Sequence, residues 1–201
     1  MELNDTLKTI AERHSNRLFD QIPVDEELLK IVLTAANQAP SAHNQQSWRF
    51  IVLRNEKKTG LAHMISEDAV NYPKTSATLL RMASRTILSA PAVIAIVNTG
   101  ELINHGKELL KIDHELSYDF FRTMEIQSSA AAVQNLLLAA TSLGLSTVWL
   151  GIMYLIKEKV LSYLNEPPEG EFMAIIPIGY SAKKTTGPKK RTLEMIVRYE
   201  D

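Results

Sequence analysis

Two hydrophobic periods alternate along the chain, one helical and one strand-like, and the changes between them mark its elements. Leu7, Ile10 and Ala11 predict a short first helix that Asn4 or Asp5 can cap. Pro23 precedes a second helix. Asp25 to Glu27 suit its positive N-terminal end, and Leu28, Leu29, Val32, Leu33 and Ala36 form one buried stripe before Pro40 ends it. WRFIVLR then predicts a strand, residues 56–67 and 74–89 predict helices, and PAVIAIV (91–97) is β-branched enough for a buried strand. Residues 100–117 fit neither period cleanly. From Tyr118 to Leu143 small and apolar residues cover much of a long, central helix, with Gly144 suited to its C-terminal cap. STVWLG predicts a short strand or extended turn, residues 154–164 a helix, and FMAIIPIGY a strand. The end, TLEMIVRYE, sets Met195, Val197 and Tyr199 against Ile196, Arg198 and Glu200, which is a strand pattern. It follows a basic loop with no intervening helix, so it needs a sheet to join, in this subunit or another.

These signals succeed one another without linker or repeat, so residues 1–201 are expected to form one domain. With 45% apolar and 22% charged residues, the chain has the balance of a globular protein. It has no cysteine, which removes disulfides, thiolate metal sites, iron–sulfur clusters and a Cys nucleophile, and suits a cytoplasmic location. The N-terminal stretch is amphipathic and mixed in charge, unlike a signal peptide. The longest apolar runs, ILSAPAVIAIV and AAAVQNLLLAA, are too short or too interrupted for a membrane span. A net charge of −1 argues against nucleic acid as a partner. Charge is unevenly placed, however: DQIPVDEE is acidic, whereas KKTTGPKKR carries five cations and no anion.

The candidate chemistry lies in neutral polar groups and in cations. APSAHNQQSW, residues 39 to 48, delivers hydroxyls, an imidazole and three amides between a helix and a strand, with neither charge nor glycine in its core. Ser41 and His43 lack a nearby acid to complete a catalytic triad. His63 with Glu67, and His105 with Glu108, have spacings that can hold metal on a helix, but no third ligand is near and no metal is expected. No GxG pair or GxSxG elbow occurs. RHSNR places Arg13, Ser15 and Arg17 at alternate positions, which point the same way in an extended segment. PKKR places Lys189 and Arg191 at the same spacing near the other end. Arg forks and Lys point charges are common phosphate ligands. A phosphate held by the cations, with a planar heteroaromatic edge held by amides and hydroxyls, uses all three segments.

The residues resemble the FMN-dependent nitroreductases of the NAD(P)H:flavin oxidoreductase type, over nearly the whole chain and in order. ERHSNRLF resembles the family's RRSxRxF opening, with His14 in place of the second Arg, and APSAHNQQSW resembles PSxxNxQPW, with Ser47 in place of Pro. QNLLLAATSLGLSTVWLG resembles the long helix and glycine-containing turn, and IIPIGY and PKKR resemble the penultimate strand and phosphate-binding tail. Residues 55–117 match poorly; the family's further polar or basic flavin contact would fall there, with Arg81 and Arg85 as candidates.

The resemblance implies an α+β, nitroreductase-like three-layer fold: a mixed, mainly antiparallel sheet flanked by helices, with the C-terminal strand exchanged in a homodimer. It implies that Arg13, Ser15 and Arg17 hold the FMN phosphate, ribityl chain and pyrimidine edge, that His14 contributes mainly backbone, and that Lys189 and Arg191 complete the phosphate clamp. Pro40, Ser41, Ala42, Asn44 and Gln46 would approach the flavin from the second subunit, and backbone amides around Leu150 and Gly151 would reach the ring; Ile152 stands where a second glycine is common. The implied activity is ping-pong reduction of small electron-poor acceptors such as nitroaromatics or quinones by NADH or NADPH. No side chain is implied as a catalytic acid, because the flavin supplies the chemistry. The alternatives are reductive dehalogenation or flavin or enone reduction on the same fold, where residues 100–117 could form a lid, and a non-catalytic flavin-binding protein.

Overall fold

The structure, a computed structural model, describes residues 3–110, 113–183 and 185–200. Helix α1 (Asp5–Glu12) is capped by Asn4, whose Oδ1 accepts the Leu7 N–H at 3.0 Å, and α2 (Glu26–Asn37) by Asp25, which accepts the Glu27 N–H at 2.7 Å. Strand β1 (Trp48–Leu53) leads to α3 (Asn55–Asp68), α4 (Lys74–Ser89) and β2 (Ala92–Asn98). The ambiguous stretch after β2 folds as α5 (Glu101–Leu110). The long helix α6 (His114–Ser142) begins four residues earlier than its hydrophobic pattern suggests, because Asp113 caps it through the N–H groups of Glu115 and Leu116. Short β3 (Ser146–Thr147), α7 (Lys157–Tyr163) and β4 (Glu171–Gly179) follow.

The strands pair antiparallel in the order β1-β2-β4-β3, and among the described residues the one parallel contact is an isolated bridge between Ser15 and Thr147. Every residue of β2 is buried, since helices cover both faces of the sheet. Val93, Ala95, Val97 and Ile175 face α3, α4 and α7. Ala92, Ile94, Ile96 and Ile176 face α2 and α6, where Val32, Leu136 and Ala140 are completely buried. Three layers result, and β1 is left as a sheet edge. Among the described residues, no helix is long and apolar enough to cross a membrane.

The C-terminal segment departs from its strand pattern. Leu193–Met195 form a single 3₁₀ turn, and no strand follows among the described residues. A strand needs an edge to bond, and among the described residues this segment pairs with none. Leu193, Met195, Ile196 and Tyr199 are left exposed.

Candidate active site

The extended RHSNR segment leaves α1 and lies along β3. Asn16 donates its N–H to Thr147 O at 2.9 Å and is buried, whereas Ser15 and Arg17 on either side are exposed. That is the alternation the extended backbone requires. The segment after β4 returns beside it: Phe19 bridges Ser181, and Ala182 donates its N–H to Leu18 O at 3.2 Å. The His14 ring, hydrogen-bonded to Glu12 O at 2.8 Å, also meets Thr185 Oγ1 at 2.7 Å. Gly187 lies against the root of the same side chain, since a Cβ there would stand 3.0 Å from His14 Cβ. The chain just ahead of PKKR, from the opposite end of the sequence, therefore meets the RHSNR segment at His14. The His14 side chain makes that tie. Lys189 and Arg191 follow within four residues of Gly187, fully on the surface.

Beside Arg17 is a cavity of about 180 Å³. One wall is a helical stripe of α4: Leu79, Met82, Ala83 and Thr86. The other is the turn Trp149–Ile152. Arg81 and Arg85, the sequence's candidates from this region, are exposed and do not line it. Thr86 and Met82 line it instead. Their shared stripe with Leu79 was visible as i, i+3, i+7 spacing, but nothing local marked that face as functional. Trp149 was likewise missed, although it adjoins Leu150.

At the turn, Leu150 N–H donates to Ile175 O at 3.0 Å. It is therefore committed to β4, and Leu150 offers the cavity an apolar wall rather than a donor. Gly151 differs. A Cβ built there meets nothing within 4 Å, so the backbone faces open space on its cavity side.

The 40–46 loop sits elsewhere. Ala42–Asn44 form a 3₁₀ turn, and His43, Asn44 and Gln46 all have φ of 53°. Left-handed conformations at three non-glycine residues within four positions are costly and tend to mark functional segments. Ser41 Oγ accepts the Gln46 N–H at 3.1 Å, and Gln46 Nε2 donates to Asn44 Oδ1 at 3.1 Å. Part of the amide supply is thus spent inside the loop. Asn44 and Gln46 nevertheless remain exposed, as does Pro40. Trp48 is core: it is buried, and its Nε1 donates to Asn37 Oδ1 at 2.9 Å. Ala42 donates its N–H to Ser128 Oγ at 3.1 Å, on the first half of α6. The RHSNR segment meets the chain beyond the last turn of that helix. At 1.5 Å per residue, Ser128 and Thr141 are roughly 20 Å apart. A single chain therefore does not bring this loop to the cavity beside Arg17.

A larger groove, of about 590 Å³, runs between α2 and the β1 edge, where Glu26, Lys30, Arg54, Leu33 and Val52 line it. It contains none of the candidate residues. Among the described residues, no cluster of three or more His, Asp or Glu side chains could hold a metal.

The Nitroreductase family model matches residues 10–180. A protein of Methanothermobacter thermautotrophicus, whose name pairs NADH dehydrogenase with NAD(P)H nitroreductase, is 30% identical over 182 residues, 89% of this chain and 78% of its own. Rat iodotyrosine deiodinase 1 is 26% identical, over 98% of this chain and 70% of its own. Among solved structures, a nitroreductase from Desulfitobacterium hafniense with bound FMN superposes with a TM-score of 0.75 at 23% identity, covering 100% of both chains. That superposition matches the three-layer fold described above, and the family match spans the RHSNR segment, the loop, the α4 stripe and the Gly151 turn: the chain belongs to the Nitroreductase family.

Proposed function

We propose that this chain is an FMN-dependent oxidoreductase that uses NADH or NADPH to reduce small electron-poor acceptors, such as nitroaromatics or quinones, as a homodimer. The observation that carries the reading is the convergence of Arg17, the α4 stripe and the open face of Gly151 on one cavity, beside a cationic tail tied to RHSNR through His14. Bound FMN would supply the redox chemistry, taking a hydride from the nicotinamide and passing two electrons to an acceptor that then occupies the same cleft.

The chain's own residues bind and orient. Arg13, Arg17, Lys189 and Arg191 neutralise the phosphate, where Arg forks fit phosphate oxygens bidentately. Ser15, exposed and alternate to Arg17 in the extended segment, serves the polyol chain. At the ring, the Gly151 backbone approaches without a side chain intervening, while Leu150, Met82 and Trp149 exclude water from its edge. A cavity of 180 Å³ is smaller than the few hundred Å³ a whole cofactor needs. That supports a shared site, with the second subunit's Pro40, Ser41, Ala42, Asn44 and Gln46 closing it. The exposed tail and the open β1 edge support the same assembly, with the tail as the exchanged strand.

The test is a spectrum. Purified protein, loaded with FMN, should show flavin absorption that bleaches on anaerobic addition of NADH or NADPH and returns when a nitroaromatic or quinone is added. Protein that retains no FMN would refute the cofactor assignment; FMN that neither nicotinamide bleaches would reduce the protein to a passive binder.

A further inference from the structure

Beneath the 41–47 loop, the first half of α6 carries a carboxyl that the proposed reaction does not use. Glu125 is 1% exposed, and its Oε1 accepts the Leu102 backbone N–H at 2.8 Å. It therefore serves the first turn of α5, whose N–H groups have no partner within their own helix. Ser47 faces the same carboxyl, but neither Ser47 Oγ nor Glu125 Oε2 reaches a hydrogen-bond partner, and both are buried. Asn98 Nδ2 and Thr99 Oγ1, at the end of β2, are orphaned in the same way. One turn along α6, Ser129 donates to Asn98 Oδ1, and the Thr99 N–H donates to Ser47 O at 2.9 Å. A single polar knot thus joins the end of β2, the foot of the loop and the start of α5.

An apolar contact joins the same pieces. Leu102 and Ile103 of α5 cluster with Phe121 of α6, and Ala42 of the loop and Met124 pack against them. Gly106 lies so close to Phe121 that a Cβ there would overlap the ring. The seat of α5 is therefore built from a carboxyl at its N-terminus, two side chains in its first turn and a glycine one turn later. The loop shares that seat through Ala42.

We infer that Glu125 is a positioning residue, seating α5 and the 41–47 loop on α6 as one unit at the edge of the cofactor site. The inference rests on the reading that the loop serves the cofactor, but the joint seating can be measured without any cofactor. Burial pushes the Glu125 carboxyl up, while the backbone N–H groups of Leu102 and Ile103, then the facing Ser47 hydroxyl and the Gly100 N–H, pull it down by less. A carboxyl raised in the seated state stabilises the seat fully below its ordinary range and weakens it as pH rises through the raised value. Other ionisable groups stand on every element around it. His43 on the loop, Glu101 and His105 on α5, Asp119 on α6 and Glu169 near Gly100 are exposed, and Arg122 is paired with Glu171.

Hydrogen exchange of the full-length protein, read by mass spectrometry with and without FMN, tests the seating. After correction for intrinsic exchange, Glu125→Ala should speed the amides of 102–106 and of 42–47 together by at least about tenfold, leaving β2 and β4 unchanged. Glu125→Gln keeps an acceptor for Leu102 but cannot ionise. It should hold both segments at the slow wild-type acidic rate and abolish their acceleration with rising pH. Gly106→Ala unseats α5 without touching the carboxyl and should open both segments as well, which keeps the test intact if Glu125→Ala fails to fold. Acceleration of α5 without the loop in Gly106→Ala, or an unchanged pH response in Glu125→Gln, would overturn the inference. Failure to bind FMN would instead strike the proposed function, since the exchange pattern does not depend on it.

Discussion

Gly151→Ala separates folding from binding. The residue has φ −102° and ψ −9°, which any amino acid adopts, and an added Cβ meets no atom within 4 Å. The folded chain should tolerate the change within about 0.5 kcal/mol, the usual range for a surface substitution without a special role. The methyl group, however, would stand in the space where the proposed flavin edge approaches the backbone. Forcing an extra carbon into a packed contact costs about 1–3 kcal/mol. At 1.4 kcal/mol per decade, that becomes roughly a five- to 150-fold weaker affinity. Gly144→Ala is the counterpart. Its φ of +76° caps the end of α6, so a side chain there should cost about 1–2 kcal/mol of stability and leave flavin binding alone. Thermal melts and fluorescence titration of the apoprotein with FMN read the two effects separately. Wild-type FMN affinity in a fully folded Gly151→Ala protein would show that the ring does not lie against this turn.

The remaining predictions concern the clamp, the tail and one ion pair between a buried Asp and an exposed Lys. Arg191→Ala should weaken FMN binding by about one to two orders of magnitude, the loss of a hydrogen bond to a charged group, and affect riboflavin far less; equal losses for both ligands in parallel titrations would mean that Arg191 does not contact the phosphate. Deleting residues 192–201 should lower dimer stability and flavin retention together, by sedimentation and absorbance; dimers as stable as those of the intact chain would refute the exchanged strand. Asp68, 7% exposed, is held below its usual range chiefly by its hydrogen bond with Lys159. Its contribution is therefore present above the ordinary carboxylate range and lost as pH falls through the depressed value. Asp68→Asn should lower stability by about 1–2 kcal/mol near neutrality, discounted because Lys159 is partly solvated, and the gap between the two proteins' denaturation midpoints should close in acid.

Periodicity made most of the layered core legible, because α2, β2 and β4 each bury side chains in the pattern their backbone dictates. Element boundaries followed capping chemistry less visibly. Asp113 extends α6 into a stretch whose hydrophobic pattern is weak, and α5 buries Leu102 and Ile103 against a surface of α6 that no local signal announces. Two cation sets of equal spacing, in RHSNR and in the basic tail, are legible in the sequence, and the tail's approach meets RHSNR at His14. That link is not legible, since His14 to Thr185 spans 171 positions and neither residue is unusual in its own segment. Arg81 and Arg85 stand off the cavity for a related reason: they lie on the exposed side of α4, which turns its Leu79, Met82 and Thr86 face to the cavity. The C-terminal alternation is a genuine strand pattern, but a strand exists only with an edge, and pattern does not specify which chain supplies it.

The backbone of His43, Asn44 and Gln46 has a consequence for how this protein would respond to random substitution. With each left-handed residue costing roughly 1 kcal/mol, less for Asn than for a bulky side chain, the loop withholds on the order of 3 kcal/mol from a domain whose net stability is about 5–15 kcal/mol. Glycine at any of the three positions would release part of that sum. A laboratory selection for heat resistance alone should therefore drift toward glycine at 43, 44 or 46, erasing the side chains the loop presents. A selection that also demands turnover should find its gains in other parts of the chain.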